Sequence, residues 1–289
     1  MRPSIHPDTT LGFVRIAVSD LQRALDFYQN TLGFKLHRRE GNHARLGAGE
    51  NDLLVLDELP NARRVNRATG LYHFAMRVPS RVALAHALKQ LADTNAPLQG
   101  FADHLVSEAI YLADPDGNGI EIYRDRPRDE WRDARGNLKM GTEPLDVRGV
   151  LDELKNNGAP WHGLERGTVL GHMHLKVAHI ADAEEFYCGI LGFDFIMRYG
   201  PAALFVSAGG YHHHIGLNTW ESAGAPPLPS DALGLREFVV RVPNRAELDP
   251  VIERAQKAGI AIRETDAGFV VRDPSQNEIA LTTQSGESK

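Results

Sequence analysis

The sequence predicts an α+β chain built from four βαβββ modules, on the strength of three internal repeats. Residues 172–195, HMHLKVAHIADAEEFYCGILGFDF, lay over residues 13–36, FVRIAVSDLQRALDFYQNTLGFKL, at an offset of 159. Phe27-Tyr28 falls on Phe186-Tyr187, and Leu32-Gly33-Phe34 falls on Leu191-Gly192-Phe193. GLREFVVRVP (234–243) repeats GLYHFAMRVP (70–79), and FVVRDPSQNEIAL (269–281) is a worn copy of IYLADPDGNGIEI (110–122). Self-similarity on this scale marks a supersecondary unit used several times.

In the first module GFVRIAV (12–18) reads as a strand. SDLQRALDFYQNTLGF reads as a helix with a polar cap and a glycine stop, and FKLHRRE, HARLGA and DLLVLDEL follow as strands. After a connector at 60–69 the order recurs, with LYHFAMRV, the helix SRVALAHALKQLADTN, and strands near Leu98–Phe101, Ser107–Ala113 and Gly119–Tyr123. From Arg124 to Thr168 the chain turns polar and irregular, with Trp131, Gly136, Gly141, Pro144, Gly158 and Pro160 breaking any period. That stretch reads as a linker containing a short helix near Val147–Asn156, which Trp131, Met140 and Trp161 would pack against the body. The expected division is a first domain at 9–126, a linker at 127–168 and a second domain at 169–284. The third module closes with PAALFVSAGG and YHHHIGLNTW. The flanks of the histidine run place it on a strand, with His212 and His214 on one face and His213 on the other.

Composition narrows the function classes. A net charge of -6 and a pI near 6.1, with no basic stripe, argue against a sequence-independent nucleic-acid binder. No apolar run approaches the roughly 20 residues that span a bilayer, and MRPSIHPDTT lacks the apolar core of a signal peptide, so cytoplasmic is the default expectation. The lone cysteine, Cys188, excludes an internal disulfide framework and reads as a buried helical side chain. Thirteen histidines are more informative, because imidazole both shuttles protons near neutral pH and ligates transition metals.

The stretch HLVSEAIYLADPDGNGIE (104–121) reads as strand, turn and strand. It presents His104, Tyr111 and Glu121 together, types that supply an acid/base imidazole, a phenol donor and an anionic metal ligand. Alone, DPDG is a common turn, and the hairpin by itself favours reading Glu121 as a solvated strand residue. His43 and His86 read as structural.

Four modules, the D-x-x-x-A-x-x-F-Y…L-G-F helix and the DPDGN-x-x-E strand resemble the vicinal oxygen chelate superfamily of glyoxalases, bleomycin-resistance proteins and extradiol ring-cleaving dioxygenases. Within it, TGLYHFAMRVP, SEAIYLADPDGNGIEIYRDRP, LKMGTEPLD and SAGGYHHHIGLNTW most resemble the two-domain bacterial catechol 2,3-dioxygenases, over nearly the whole chain. The resemblance implies two tandem domains with cupped mixed sheets, and metal ligands on the first and last strand of a module. First-strand positions fall at Phe13, His73, His172 and Glu237, and last-strand positions at Leu54, Glu121, His214 and Ala280.

Ligand-capable residues therefore concentrate in modules two and three. The resemblance implies one site of His73, His172 and Glu121, with His214 as a fourth ligand or as an acid/base group, and His212 beside it as a further acid/base candidate. Pairing modules two and three unites these residues. Pairing one with two and three with four would instead offer His172, His214 and Glu237, and the ligand count favours the first arrangement. Two imidazoles and one carboxylate suit non-haem Fe(II) and leave positions open for a catecholate and dioxygen. Mn(II) fits the same set, whereas Ni or Zn would accompany a four-ligand, glyoxalase-like site.

By resemblance His104 and Tyr111 hydrogen-bond the substrate oxygens, with Ala102 a departure from the pattern that touches packing. The implied activity is Fe(II)- and O2-dependent meta cleavage of catechol or a related aromatic diol, in a chain that uses neither nucleic acid nor membrane and is compatible with a homo-oligomer. The alternatives are a metal-dependent isomerase or thiol transferase of the glyoxalase type, and a metal-free protein that sequesters an aromatic drug.

Overall fold

The four modules are present in the computed structural model of the chain, which describes residues 3–156 and 159–284. Module one is β1 (Thr10–Val18), α1 (Leu21–Asp26), β2 (Lys35–Glu40), β3 (His43–Ala48) and β4 (Asn51–Glu58). Module two is β5 (Gly70–Arg77), α2 (Arg81–Asp93), β6 (Leu98–Asp103), β7 (Ser107–Ala113) and β8 (Gly119–Asp125), followed by α3 (Val147–Asn156) where the linker helix was expected. Module three is β9 (Val169–Lys176), α4 (Ile180–Glu184), β10 (Asp194–Tyr199), β11 (Ala203–Ser207) and β12 (Ile215–Asn218). Module four is β13 (Gly234–Val242), α5 (Arg245–Lys257), β14 (Arg263–Thr265), β15 (Gly268–Arg272) and β16 (Glu278–Thr283).

Local chemistry explains the helix ends. Asp20, Ser80 and Asn244 are extended residues whose side chains accept from the backbone N–H three residues on, at 2.9, 3.0 and 3.2 Å. In α1, Leu21, Ala24 and Leu25 form the buried stripe, and the chain continues as a π-helical turn over Phe27–Thr31. Gly33, at φ +76°, ends that turn in a conformation open to glycine at no steric cost.

The strands form two curled mixed sheets of eight. One runs β14-β15-β16-β13-β1-β4-β3-β2 and the other β10-β11-β12-β9-β5-β8-β7-β6, so modules two and three share one sheet, the pairing that the ligand count favours. No helix among the described residues is long and apolar enough to cross a membrane.

By compactness the chain divides into two units. In the unit of residues 18–61 and 73–170, the π turn after α1 carries Tyr28 onto the DPDGN turn. The Asp114 carboxylate accepts from Asp116 N (2.9 Å), Asn118 N (2.8 Å), Asn118 Nδ2 (2.8 Å) and the Tyr28 hydroxyl (3.0 Å). Burial pushes the Asp114 pKa up against those hydrogen bonds, and drives the Tyr28 phenol well above its usual value. The linker has structure of its own. Arg81 on α2 ties α3 down through the Gly149 carbonyl and Glu153, both at 3.0 Å, and Trp131 is buried with its indole N–H on the Arg126 carbonyl at 2.8 Å.

The unit formed by the rest of the chain repeats the device. Asp273 accepts from Ser275 N (2.8 Å), Asn277 N (2.9 Å), Asn277 Nδ2 (2.9 Å) and the Tyr187 hydroxyl (3.0 Å), and burial again raises the carboxyl pKa. Ser275 Oγ accepts from Ala178 N at 2.9 Å, as Asp116 accepts from Ser19 N at 2.9 Å in the other unit.

Candidate metal centre

Four candidate residues come from module two. His73 lies in β5, whose parallel neighbour β8 sets Ala75 beside Glu121. Both side chains are buried, and His73 Nε2 stands 3.0 Å from Glu121 Oε2. In the antiparallel pair β7–β8, Tyr111 stands opposite Glu121, and its ring centroid is 5.7 Å from that of His73. His104, in the turn between β6 and β7, completes the group, with Nε2 2.6 Å from the Tyr111 hydroxyl and Nδ1 2.7 Å from the Gly141 carbonyl. Glu121 is therefore a buried carboxylate and not the solvated strand residue that the turn alone would suggest.

Module three brings His172, buried in β9. The histidine run corrects the expected strand: residues 211–214 form an irregular turn, and β12 begins only at Ile215. His213 packs on His172, with centroids 4.1 Å apart, and its Nδ1 lies 2.8 Å from His212 Nδ1. His214 Nδ1 accepts from Ala208 N at 3.2 Å and lies 2.9 Å from Ser207 Oγ. Register also corrects the last-strand position assigned to His214. Glu121 lies beside Ala75, the second residue after His73, and the second residue after His172 is His174, whose partner is Gly216. A Cβ on Gly216 would meet the His174 ring at 3.0 Å, so that position is filled by an imidazole from the neighbouring strand.

Glu237, offered by the other pairing, lies in the other sheet opposite Arg15, 3.6 Å from its guanidinium. Burial raises its pKa against the pull of Arg15. His43, expected to be structural, is bound to Asp57 at 2.6 Å.

Among the described residues one ligand atom each from His73, Glu121 and His172 lie within 4.8 Å of one another, and these three buried side chains are a candidate metal site. The donor set fits an ion. Two donors bound at about 2.1 Å and at right angles stand about 3 Å apart, the His73–Glu121 separation. A carboxylate kept from water needs a positive partner, and two nitrogen donors with one anionic oxygen on one side of an ion leave its other positions free. Two residues of interest were invisible in the sequence. Gly141 acts through a backbone carbonyl, and His213 was assigned to the opposite face by a strand period that the turn does not keep.

The family profile of the glyoxalase/bleomycin resistance protein/dioxygenase superfamily matches residues 10–122 and 169–281. A catechol-2,3-dioxygenase of Bacillus subtilis (strain 168) is 46% identical over 276 residues, covering 94% of this chain and 96% of that protein. A lactoylglutathione lyase of Neisseria meningitidis serogroup A is 31% identical over 124 residues, 40% of this chain and 90% of that protein. The crystal structure of glyoxalase I from Zea mays shares the fold, with a TM-score of 0.59 at 14% identity over 96% of this chain and 94% of that one.

Proposed function

The chain belongs to the glyoxalase/bleomycin resistance protein/dioxygenase superfamily, and we propose that it is an extradiol ring-cleaving dioxygenase acting on catechol or a related aromatic diol with dioxygen. The observation that carries this reading is the buried set of two imidazoles and one carboxylate, His73, His172 and Glu121. Fe(II) is the ion that this set suits, with Mn(II) as the substitute; when bound it would take both oxygens of the diol and activate dioxygen.

The chain's own residues supply the rest. In this reading Tyr111, opposite Glu121, hydrogen-bonds a diol oxygen, and His104, bonded to the Tyr111 hydroxyl, takes a proton through it, a contribution of about 10²–10⁴ in rate for a positioned acid/base group. His212 and His213, linked through their Nδ1 atoms beside His172, are the second acid/base pair in this reading, and His214 buttresses the turn that carries them.

The test is reconstitution of metal-free protein with Fe(II) and addition of catechol in air. A yellow ring-fission product, absent under nitrogen and absent without metal, is the expected result; no oxygen uptake with any simple catechol would overturn the reading. The 31% identity to a lactoylglutathione lyase favours a second reading, a glyoxalase-type isomerase. That reading predicts turnover of a glutathione adduct with Ni or Zn and without oxygen uptake, and needs a fourth ligand beyond the three that converge here.

A further inference from the structure

The ring of His104 is held at both nitrogens. Nδ1 faces the Gly141 carbonyl, which only accepts, at 2.7 Å, with the Thr142 hydroxyl farther off at 3.5 Å, so the nearer partner favours a proton on Nδ1 and the neutral ring then offers Nε2 to the Tyr111 hydroxyl. The deciding carbonyl comes from outside the modules, in the stretch after β8. That stretch folds back on itself: Arg132 bridges Leu138, Lys139 N donates to the Trp131 carbonyl at 2.8 Å, and the tip is closed by Asp133 and Asn137. Its returning limb then pairs with the His104 turn. Asp103 and Glu143 exchange both backbone hydrogen bonds, at 2.9 and 2.8 Å, and Gly141 N donates to the His104 carbonyl at 3.2 Å.

The turn is itself constrained. Leu105 is held at φ +66°, a left-handed conformation costly for a residue with a Cβ. Asp103 accepts from Leu105 N at 2.9 Å and pairs with Arg126 at 2.5 Å. Burial pushes the Asp103 pKa up, but Arg126 and the Leu105 N–H outweigh it and leave it low. A plain hairpin turn needs none of these contacts, and together they fix the orientation of one imidazole.

We propose that residues 139–143 form a positioning strap, in which the Gly141 carbonyl selects the Nδ1–H tautomer of His104 and so directs the Tyr111 proton to Nε2. The use of that proton rests on the dioxygenase reading; the tautomer does not. Gly141 is a positioning residue that acts through His104. A Cβ at 141 would meet Leu105 Cδ1 at 3.3 Å, a contact the exposed Leu105 side chain can ease, and it is the two further methyls of Gly141→Val that are expected to shift the strap from the turn, with Leu105→Ala in the same chain making room for them.

The test is long-range ¹H–¹⁵N NMR on full-length, metal-free protein labelled at histidine, with His104 assigned by its loss in His104→Gln. Wild type and Leu105→Ala should show the Nδ1–H tautomer, Gly141→Val a mixture or the Nε2–H form, and the double variant a return to wild type. In turnover, Gly141→Val should lower kcat by about 100-fold with KM little changed, the scale of a misplaced catalytic group. An Nε2–H tautomer in wild type overturns the proposal, and so does an unaltered tautomer in a folded Gly141→Val. Should that variant not fold, Asp103→Asn, which unties the turn from Arg126, replaces it with the same two outcomes. Failure to cleave any diol, with the tautomer as expected, would sink the dioxygenase reading and leave the strap standing.

Discussion

Residues 110–122 and 269–281 are one piece of architecture used twice, and only the first carries a candidate ligand. The two turns match bond for bond: Asp114 and Asp273 each gather two backbone N–H groups, an asparagine amide and a tyrosine hydroxyl. Seven residues after each aspartate the copies part. Glu121 lies beside Ala75 in one sheet, and Ala280 lies beside Val239 in the other. The turn encodes the scaffold and the strand position encodes the chemistry, so one decays while the other persists. A third turn, Asp133 to Asn137, makes the backbone and asparagine bonds in solvent without the tyrosine, and there the asparagine and backbone N–H groups hold the carboxyl below its usual range. Burial reverses the direction at Asp114, with a smaller push from the Asp116 charge, and at Asp273.

The largest expected effect separates the two copies directly. Glu121→Ala should weaken metal binding, measured by titration into metal-free protein, by more than the 10–100-fold typical of losing a residue that merely supports a ligand. Ala280→Glu should neither bind metal nor alter turnover, since Phe13, Leu54 and Glu237 are its counterparts in that sheet. Next in size, Tyr28→Phe and Tyr187→Phe each remove one buried hydrogen bond to an aspartate and should each cost about 1–3 kcal/mol in denaturant unfolding. Equal costs support equivalent scaffolds; a metal-affinity change confined to Tyr28→Phe sharpens the division of labour.

The pH dependence follows from the raised carboxyls. A folded pKa above the unfolded one means that the folded chain holds the proton more tightly. The stabilisation from Asp114 and Asp273 is then fully present below the ordinary carboxylate range and is lost as pH rises through their raised values. Asp273→Asn should flatten that part of the stability profile, and a steeper decline with rising pH would contradict the assignment. The smallest effect lies at the fourth turn residue, left-handed in both copies, at φ +82° for Gly117 and φ +66° for Gln276. Gln276→Gly should stabilise and Gly117→Gln destabilise, each by about 1 kcal/mol.

Much of this was legible in the sequence, for physical reasons. Strands and helices announced themselves through alternation, caps and the repeat, and His73, His172 and Glu121 stood out because equivalent positions elsewhere hold Phe13, Leu54 and Ala280. What was misread depended on register. His214 looks like a last-strand residue because Ile215–Asn218 follows it, yet the paired register starts at Ile215 and puts Gly216 at the matching place. The Gly141 contact left no trace in residue type, since every residue carries a carbonyl.

His73, Glu121 and His172 are proposed to hold one ion. Anomalous diffraction at the iron edge from anaerobically Fe(II)-loaded crystals tests it most directly. A single strong peak within bonding distance of both imidazoles and the Glu121 carboxylate is expected; a peak bound elsewhere, or one that touches only His73 and Glu121 and leaves His172 apart, would rule out a shared ion.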